Sequence, residues 1–313
     1  MTGLVSVVIP THERPDLLER AVASLLAQTH RELECIVVDD ASSPPTGRLL
    51  ERLASGDARL RWLRHDRPRG ASAARNTGLA AARGRHVAFL DDDDYWLPGK
   101  LEKQVALLEA SPPSVGLVYC WFDYRIGDRI VPGRSPRLEG RIFEHLLERQ
   151  PLGNSSTLLV PRSVAEAVAG FDAELPRGND GDFIRRIALD HEIRYVPEVL
   201  VHVDIGHGLR RLTAFDRKGA SNALVADRAK LRKFARELEQ YPRQRAAIYG
   251  SIGFHHSLLG DWSEAWGWFW RGVRSQPLYP GAWRPMLRAV KALLLSRMAA
   301  GGRGGSAGNP RVV

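Results

Sequence analysis

The chain has 313 residues, with 45 Lys and Arg against 36 Asp and Glu, a formal net charge of +9 and a pI near 9.9. This length can bury a substantial core, as one large domain or one domain plus an appendage, and the composition is that of an ordinary soluble globular protein. The two cysteines, Cys35 and Cys120, lie in apolar strand-like runs, which argues against a disulfide or zinc site and for a reduced, cytosolic protein.

Residues 5–9 form a β-branched strand stopped by Pro10. The strand begins almost at once, so no signal peptide is expected, and no apolar run is long enough to span a bilayer. Thr11, His12 and Glu13 follow, then a helix over about 16–28 whose apolar positions Leu17, Leu18, Ala21, Val22, Leu25 and Leu26 recur at helical spacing. A second strand over 33–38 ends at Asp39-Asp40, a loop leads to a helix near 47–53, and 60–63 is a third short strand. An alanine-rich helix spans 71–82, Gly84 ends it, and 87–90 is the fourth strand. This alternation predicts the α/β class, with right-handed crossovers and a Rossmann-like, mainly parallel central sheet. Ligands sit at the carboxyl ends of such strands. Three strands here end in candidate binding residues, at Pro10-Thr11, Asp39-Asp40 and Asp91-Asp92-Asp93. With no Gly-rich dinucleotide fingerprint and no GK[ST] loop, phosphate must be held by a metal and basic side chains.

The quartet Asp91-Asp92-Asp93-Asp94 closes the fourth strand. Like charges at this spacing repel, and a bound cation relieves them. Carboxylate oxygens suit Mg²⁺ or Mn²⁺, and Mg²⁺ shares its shell with substrate phosphates. An acidic helix start, with Asp94 as N-cap and Pro98 in the first turn, accounts for one or two of the four carboxylates. It does not account for all, and a metal–diphosphate site is the favoured reading.

Beyond Pro98 the pattern reads as a helix to about 110, strands over 115–122 and 123–131, a helix over 140–147, a strand over 156–160 and a helix over 161–168. Gly178-Asn179-Asp180-Gly181 then opens a helix with Ile184, Ile187 and Ala188 inward, and strands over 193–196 and 199–203 close the sheet. From about residue 213 only helices follow: a basic one over 224–238, an apparent hairpin over 246–259 and 263–275, and a last one over 283–298. The hairpin, turning at Gly260-Asp261, suggests a single tetratricopeptide-like unit. The expected domains are 1–210 (catalytic), 211–299 (helical extension) and 300–313 (a Gly-rich disordered tail).

The positive excess gathers after Gly208, from Arg210 and Arg211 through Arg228, Lys230 and Arg236. It lacks aromatic interleaving and a nucleic-acid motif, so nucleic acid is not an expected partner. Trp262, Trp266, Trp268 and Trp270 read first as packing against the catalytic domain; peripheral membrane contact beside these arginines comes second, and homodimerisation is a further option.

The ordered motifs at 5–11, 36–42 (Ile-Val-Val-Asp-Asp-Ala-Ser), Ala74-Arg75-Asn76-Thr77-Gly78, 89–94, Asn179-Asp180 and Arg186 resemble the inverting glycosyltransferases of family 2, which have the GT-A fold. The resemblance covers roughly residues 4–203. It implies a nucleoside-diphosphate sugar donor, Mn²⁺ or Mg²⁺, and a glycan, lipid-linked or peptide acceptor, in the cytoplasm or at the inner face of the membrane. By the same resemblance Pro10, Thr11, His12 and Glu13 line the nucleotide loop and Asp40 bonds the base. Arg75 or nearby Arg69 faces the diphosphate, and Asp91 and Asp92 lie near ribose and phosphate. Asp93 binds the metal with Asp91 and His207, the register of the quartet being open by one place, and Asp180 is the catalytic base. The family's usual Glu before that base is Asn179 here. A sugar nucleotidyltransferase would carry a Gly-rich basic loop after the first strand, which Thr11-His12-Glu13-Arg14 is not. A partner-binding protein with a vestigial sheet would not need Asp93 and Asp180.

Overall fold

The computed structural model describes residues 3–206 and 216–301. It divides into two compact units, Met1–Arg211 and Leu212–Val313. The expected boundary at 210, His207 and the last twelve residues lie outside the described residues.

In the first unit, β1 (Val5–Thr11), β2 (Leu33–Asp39), β3 (Leu60–Arg64) and β4 (His86–Phe89) alternate with α1 (Pro15–Leu26), α2 (Pro44–Gly56) and α3 (Ala71–Ala81). These four strands are parallel in the order β3-β2-β1-β4, as the strand–helix alternation predicts. β1 and β2 are buried along their whole length, hence their unbroken apolar runs. Pro10 does not stop β1 as expected. Even-numbered residues of β1 face β4, whose ladder ends where the Leu90 N–H meets Val8 O at 3.0 Å, so no partner goes without the missing proline N–H, while β1 continues against β2 to Thr11↔Asp39.

The second half of the sheet is mixed. β8 (Leu158–Pro161) pairs antiparallel with both β4 and β6 (Val115–Ile126); β9 (Glu192–Asp204) runs parallel to β6, and β5 (Tyr95–Trp96) runs antiparallel to β9. The two strands expected over 193–203 are the single strand β9, and β6 runs on to Ile126 before its hairpin with β7 (Arg129–Arg134). α4 (Lys100–Glu109), α5 (Phe143–Glu148), α6 (Arg162–Ala167) and α7 (Asn179–Asp190) complete the unit. The core between sheet and α1 and α4 includes Val7, Ile9, Leu18, Val37, Leu101 and Val118.

The second unit is helical: α8 (Arg217–Lys233), α9 (Glu237–Gln240), α10 (Pro242–Leu259), α11 (Trp262–Ser275) and α12 (Pro280–Gly301). α10 packs against α8, α11 and α12. Gly260, at φ 85°, makes the left-handed turn after α10, and Asp261 caps α11 by accepting the Glu264 N–H at 3.2 Å.

Candidate active site

On one side of β1 lies β2, on the other β4, so the strand order reverses at β1 and a crevice opens at the carboxyl ends. The residues after β4 fill it. The Asp94 N–H bonds Asp91 O at 3.0 Å, a tight turn that brings the first and fourth aspartates together. Asp91, Asp93 and Asp94 each offer one carboxylate oxygen, all within 4.8 Å of one another. Asp92 points elsewhere: its buried carboxylate accepts from Thr11 Oγ1 at 2.8 Å and Arg14 Nη1 at 3.1 Å.

Arginines supply part of the countercharge that four adjacent carboxylates need. Arg75, brought by α3, donates to Asp91, and Arg14 Nη1 also reaches Asp93 Oδ2 at 3.0 Å. Arg20 donates to the Asp93 carbonyl at 2.7 Å and pairs with Asp204 at 2.9 Å. Hydroxyl and amide donors come from the 3₁₀ turn before β8: Ser155 Oγ to Asp91 Oδ1 at 3.0 Å, and Ser156 Oγ and Asn154 Nδ2 to Asp94 Oδ2, each at 2.6 Å. Burial, reinforced by Asp91 and Asp93, raises the Asp94 carboxyl well above the usual range despite these donors. Burial likewise pushes Asp92 up to about 6 against the pull of Arg14. A donor set of carboxylate oxygens in mutual repulsion fits a hard divalent cation.

Asp180 is the second residue of α7, which starts after Gly178 in the left-handed region at φ 76°. Its carboxyl is buried and Oδ1 has no hydrogen-bond partner. Burial pushes it up to about 6, with Asp91 adding to the shift and Arg75 and Ser155 opposing it. Arg75 is itself fully buried; Asp91, Asp180 and Asp93 outweigh the burial that would discharge it, so one guanidinium serves both the acidic cluster and Asp180. Asn179 bonds Ser72 Oγ, Asp172 O and Leu175 O, fixing the loop that presents Asp180.

Asp40 is committed on both oxygens, with His65 Nδ1 at 2.7 Å and the Arg69 and Gly70 amides at 2.8 and 2.7 Å. Burial works against this carboxylate, but these partners hold it below its usual range. The Arg69 side chain is exposed, whereas that of Arg75 is buried at the acidic cluster. His12 and Glu13 are exposed on the crevice loop; His12 Nδ1 lies 2.8 Å from Asp40 O and Glu13 accepts from Ser43. Pro10 is buried inside β1. His202 bonds the Tyr95 hydroxyl at 2.6 Å, Asp39 caps the Ser42 N–H at 2.9 Å, and Arg186 braces α7 through Asp182 at 2.9 Å. Sequence reasoning missed Arg14, Arg20 and the donors Asn154, Ser155 and Ser156. The run Asn154-Ser155-Ser156-Thr157 just before an apolar strand was the available signal.

The family described as Glycosyl transferase family 2 matches residues 6–161. WfaP of Escherichia coli, a UDP-Glc:α-D-GlcNAc-diphosphoundecaprenol β-1,3-glucosyltransferase, is 36% identical over 106 residues, 34% of this chain and 41% of that protein. The match spans about two fifths of the length of WfaP and of two other curated relatives, and 69% of a more distant one at 27% identity. Among solved structures, S. aureus TarS 1–349 in complex with UDP-GlcNAc superposes with a TM-score of 0.64 at 18% identity, over 87% of this chain and 81% of that one. The mannosyltransferase PcManGT of Pyrobaculum calidifontis, in complex with GDP-Man and Mn²⁺, gives 0.60 at 21% identity, over 94% and 81%. The mixed, largely parallel sheet is the GT-A fold of these structures, and residues 6–161, which carry the ordered strand-end motifs, belong to glycosyl transferase family 2.

Proposed function

We propose that this protein transfers a sugar, with inversion, from a nucleoside-diphosphate sugar to a hydroxyl of a lipid-linked or other glycan acceptor. The observation that carries the reading is a buried guanidinium, Arg75, that bonds Asp91 of the three-carboxylate cluster and feels the charge of Asp180, whose buried Oδ1 has no hydrogen-bond partner. WfaP, named for a diphosphoundecaprenol-linked sugar acceptor, supports the acceptor class, and PcManGT with GDP-Man and Mn²⁺ supports the donor class and metal.

In this mechanism Asp91, Asp93 and Asp94 would hold Mn²⁺ or Mg²⁺, with His207 a further candidate outside the described residues. When bound there, such a cation would supply positive charge against the departing diphosphate. Arg75 is placed to share that charge as a fixed cation that needs no reorganisation. Asp180 Oδ1 takes the proton of the acceptor hydroxyl as its oxygen bonds the anomeric carbon and the bond to the diphosphate breaks. One displacement with the base opposite the leaving group inverts that carbon. Thr11, His12, Glu13 and Asp40 shape the nucleotide end of the crevice, Asp40 by holding the loop at Arg69 and Gly70. A cytoplasmic location belongs to the same reading.

The test is a panel of nucleotide sugars screened by thermal shift with and without Mn²⁺, followed by product analysis with a lipid-diphosphate sugar acceptor. One donor should stabilise the protein only when metal is present, and its sugar should appear on the acceptor with inverted configuration. Absence of any cation-dependent nucleotide binding would overturn the assignment.

A further inference from the structure

The net positive charge of the chain sits entirely in the helical unit. Leu212–Val313 carries 17 Lys and Arg against 6 Asp and Glu, a net +11, while Met1–Arg211, with 28 against 30, nets −2. The same unit exposes large apolar side chains. On α11, Trp266 and Trp270 are 40% and 46% exposed, and on α12, Leu287, Leu294 and Leu295 are 60%, 55% and 56% exposed.

The placement is regular. Trp262, Trp266 and Trp270 recur every four residues along α11, and Arg274 continues the row. Trp262 is partly buried against the small core of Ala265, Phe269, Met286 and Ala289, so the row leaves that core and emerges into solvent. On α12, Ala282, Met286 and Ala289 face inward. Leu287 and Leu294, two turns apart, flank that face, and Arg284, Arg288 and Lys291 come next around the helix. Each helix thus shows an inward face, an exposed apolar flank and cationic side chains beside it.

We propose that α11 and α12 dock the protein on an anionic phospholipid surface, the tryptophans and leucines entering the headgroup–acyl boundary and the arginines and Lys291 meeting lipid phosphates. Among the described residues no helix is long and apolar enough to cross a membrane, so the contact is interfacial. A second copy does not fit this face, because two units of net +11 repel one another. Nucleic acid fits it poorly. The exposed apolar side chains of α12, Leu287, Leu294 and Leu295, are aliphatic and offer bases no ring to stack on. The inference is independent of sugar transfer, although a lipid-linked acceptor would give the docking a purpose.

The experiment is flotation of the full chain with vesicles of phosphatidylcholine alone or mixed with phosphatidylglycerol, at low and high salt, with tryptophan emission recorded. Wild type should float with the anionic vesicles only, with a blue-shifted emission. The double variant Trp266→Ser/Trp270→Ser should lose binding on the order of tenfold, and Arg284→Gln/Arg288→Gln should lose it with a weaker salt dependence. All four side chains are exposed, but Trp266 also packs on Trp262 and Phe269 and the Arg288 guanidinium lies 4.9 Å from the Phe254 ring, so unchanged circular-dichroism melting and nucleotide-sugar thermal shift are needed to separate a docking defect from failed folding or a failed donor site. The proposal is overturned by absence of flotation with anionic vesicles. It is equally overturned by binding indifferent to the tryptophan pair, by duplex DNA displacing the protein from vesicles, or by a dimer that only the tryptophan variant loses.

Discussion

Arg14 donates from Nη1 to Asp93 Oδ2 at 3.0 Å, and the same nitrogen reaches Asp92 Oδ1 at 3.1 Å. A guanidinium therefore already neutralises one of the three carboxylates assigned to the divalent ion, and cation entry competes with it. The pair is partly exposed, so its worth is at most about 1 kcal/mol, roughly a fivefold effect. Arg14→Met should tighten Mn²⁺ binding by about that factor, measured by calorimetric titration of the protein without nucleotide. Unchanged or weaker affinity would mean that Arg14 supports the metal ligands rather than competing for them.

Asp180 Oδ1 is buried without a partner, and Asn at this position keeps its size while removing its basicity. Asp180→Asn should bind the metal–nucleotide as wild type does and lose transfer by about 100- to 10,000-fold, the usual range for a general base. Donor binding by thermal shift and turnover by product release give the two readouts. Wild-type turnover in this variant would remove Asp180 from the chemistry.

Gly78 explains how Arg75 comes to lie at the strand ends. A Cβ there would fall 2.2 Å from Val8 Cγ1, so only glycine lets α3 sit this close to β1. Gly78→Ala should destabilise the fold by roughly 1–3 kcal/mol through overpacking. Because α3 carries Arg75, nucleotide affinity should fall as well. A urea denaturation curve checks the first and a nucleotide titration the second.

The three strand ends that meet at the crevice were legible because parallel buried strands are continuous apolar runs and each stops at a polar residue. The sorting of the aspartate quartet was not. Four identical residues carry no phase, and only the turn from Asp91 O to the Asp94 N–H decides that Asp94 joins Asp91 and Asp93 while Asp92 turns back to Thr11 and Arg14. The Ser155 and Ser156 donors were hidden for a different reason. They act on carboxylates more than 60 residues earlier, and serines ahead of a strand read locally as its first residues. β5, two residues long, is too short for any periodicity and is defined only by its partner β9.

Lys100, the first residue of α4, is buried with Nζ 2.7 Å from Gln104 Oε1 and 3.8 Å from the centre of the Trp96 ring. Burial pulls its ammonium from the ordinary 10.5 down to about 8. Between these values the unfolded chain holds the proton and the native one does not, so this group makes stability rise with pH from about 8 to 10.5. Below about pH 8 the native state bears the whole burden, roughly 3 kcal/mol. Lys100→Met removes that burden but also the Gln104 and ring contacts, leaving a net gain of about 1 kcal/mol at pH 7. Urea curves at pH 7 and pH 10 should show the gain at pH 7 and its loss or reversal at pH 10; a variant less stable at pH 7 than at pH 10 relative to wild type would contradict the account.

Asp227 in α8 is the opposite case, a buried charge fully compensated. Its carboxylate accepts from Ser251 Oγ at 2.6 Å, with His255 Nδ1 at 3.2 Å and Lys230 Nζ at 3.5 Å. Burial would raise it, but Lys230, His255 and Ser251 outweigh burial and hold it at about 2, below the ordinary 3.8. A depressed carboxylate contributes in full above the unfolded value and loses that contribution as pH falls from 3.8 through about 2. The amount is on the order of 2 kcal/mol. Asp227→Asn should therefore destabilise the helical unit at pH 7, because the variant loses the attraction that Lys230 and His255 exert on the carboxylate. The difference between variant and wild type should shrink steadily below pH 4 as the wild-type carboxylate protonates. Circular-dichroism melts of the full chain from pH 7 to pH 2 measure this directly. A variant whose deficit is the same at pH 7 and pH 2 would show that Asp227 acts through its shape and hydrogen bonds and not through its charge.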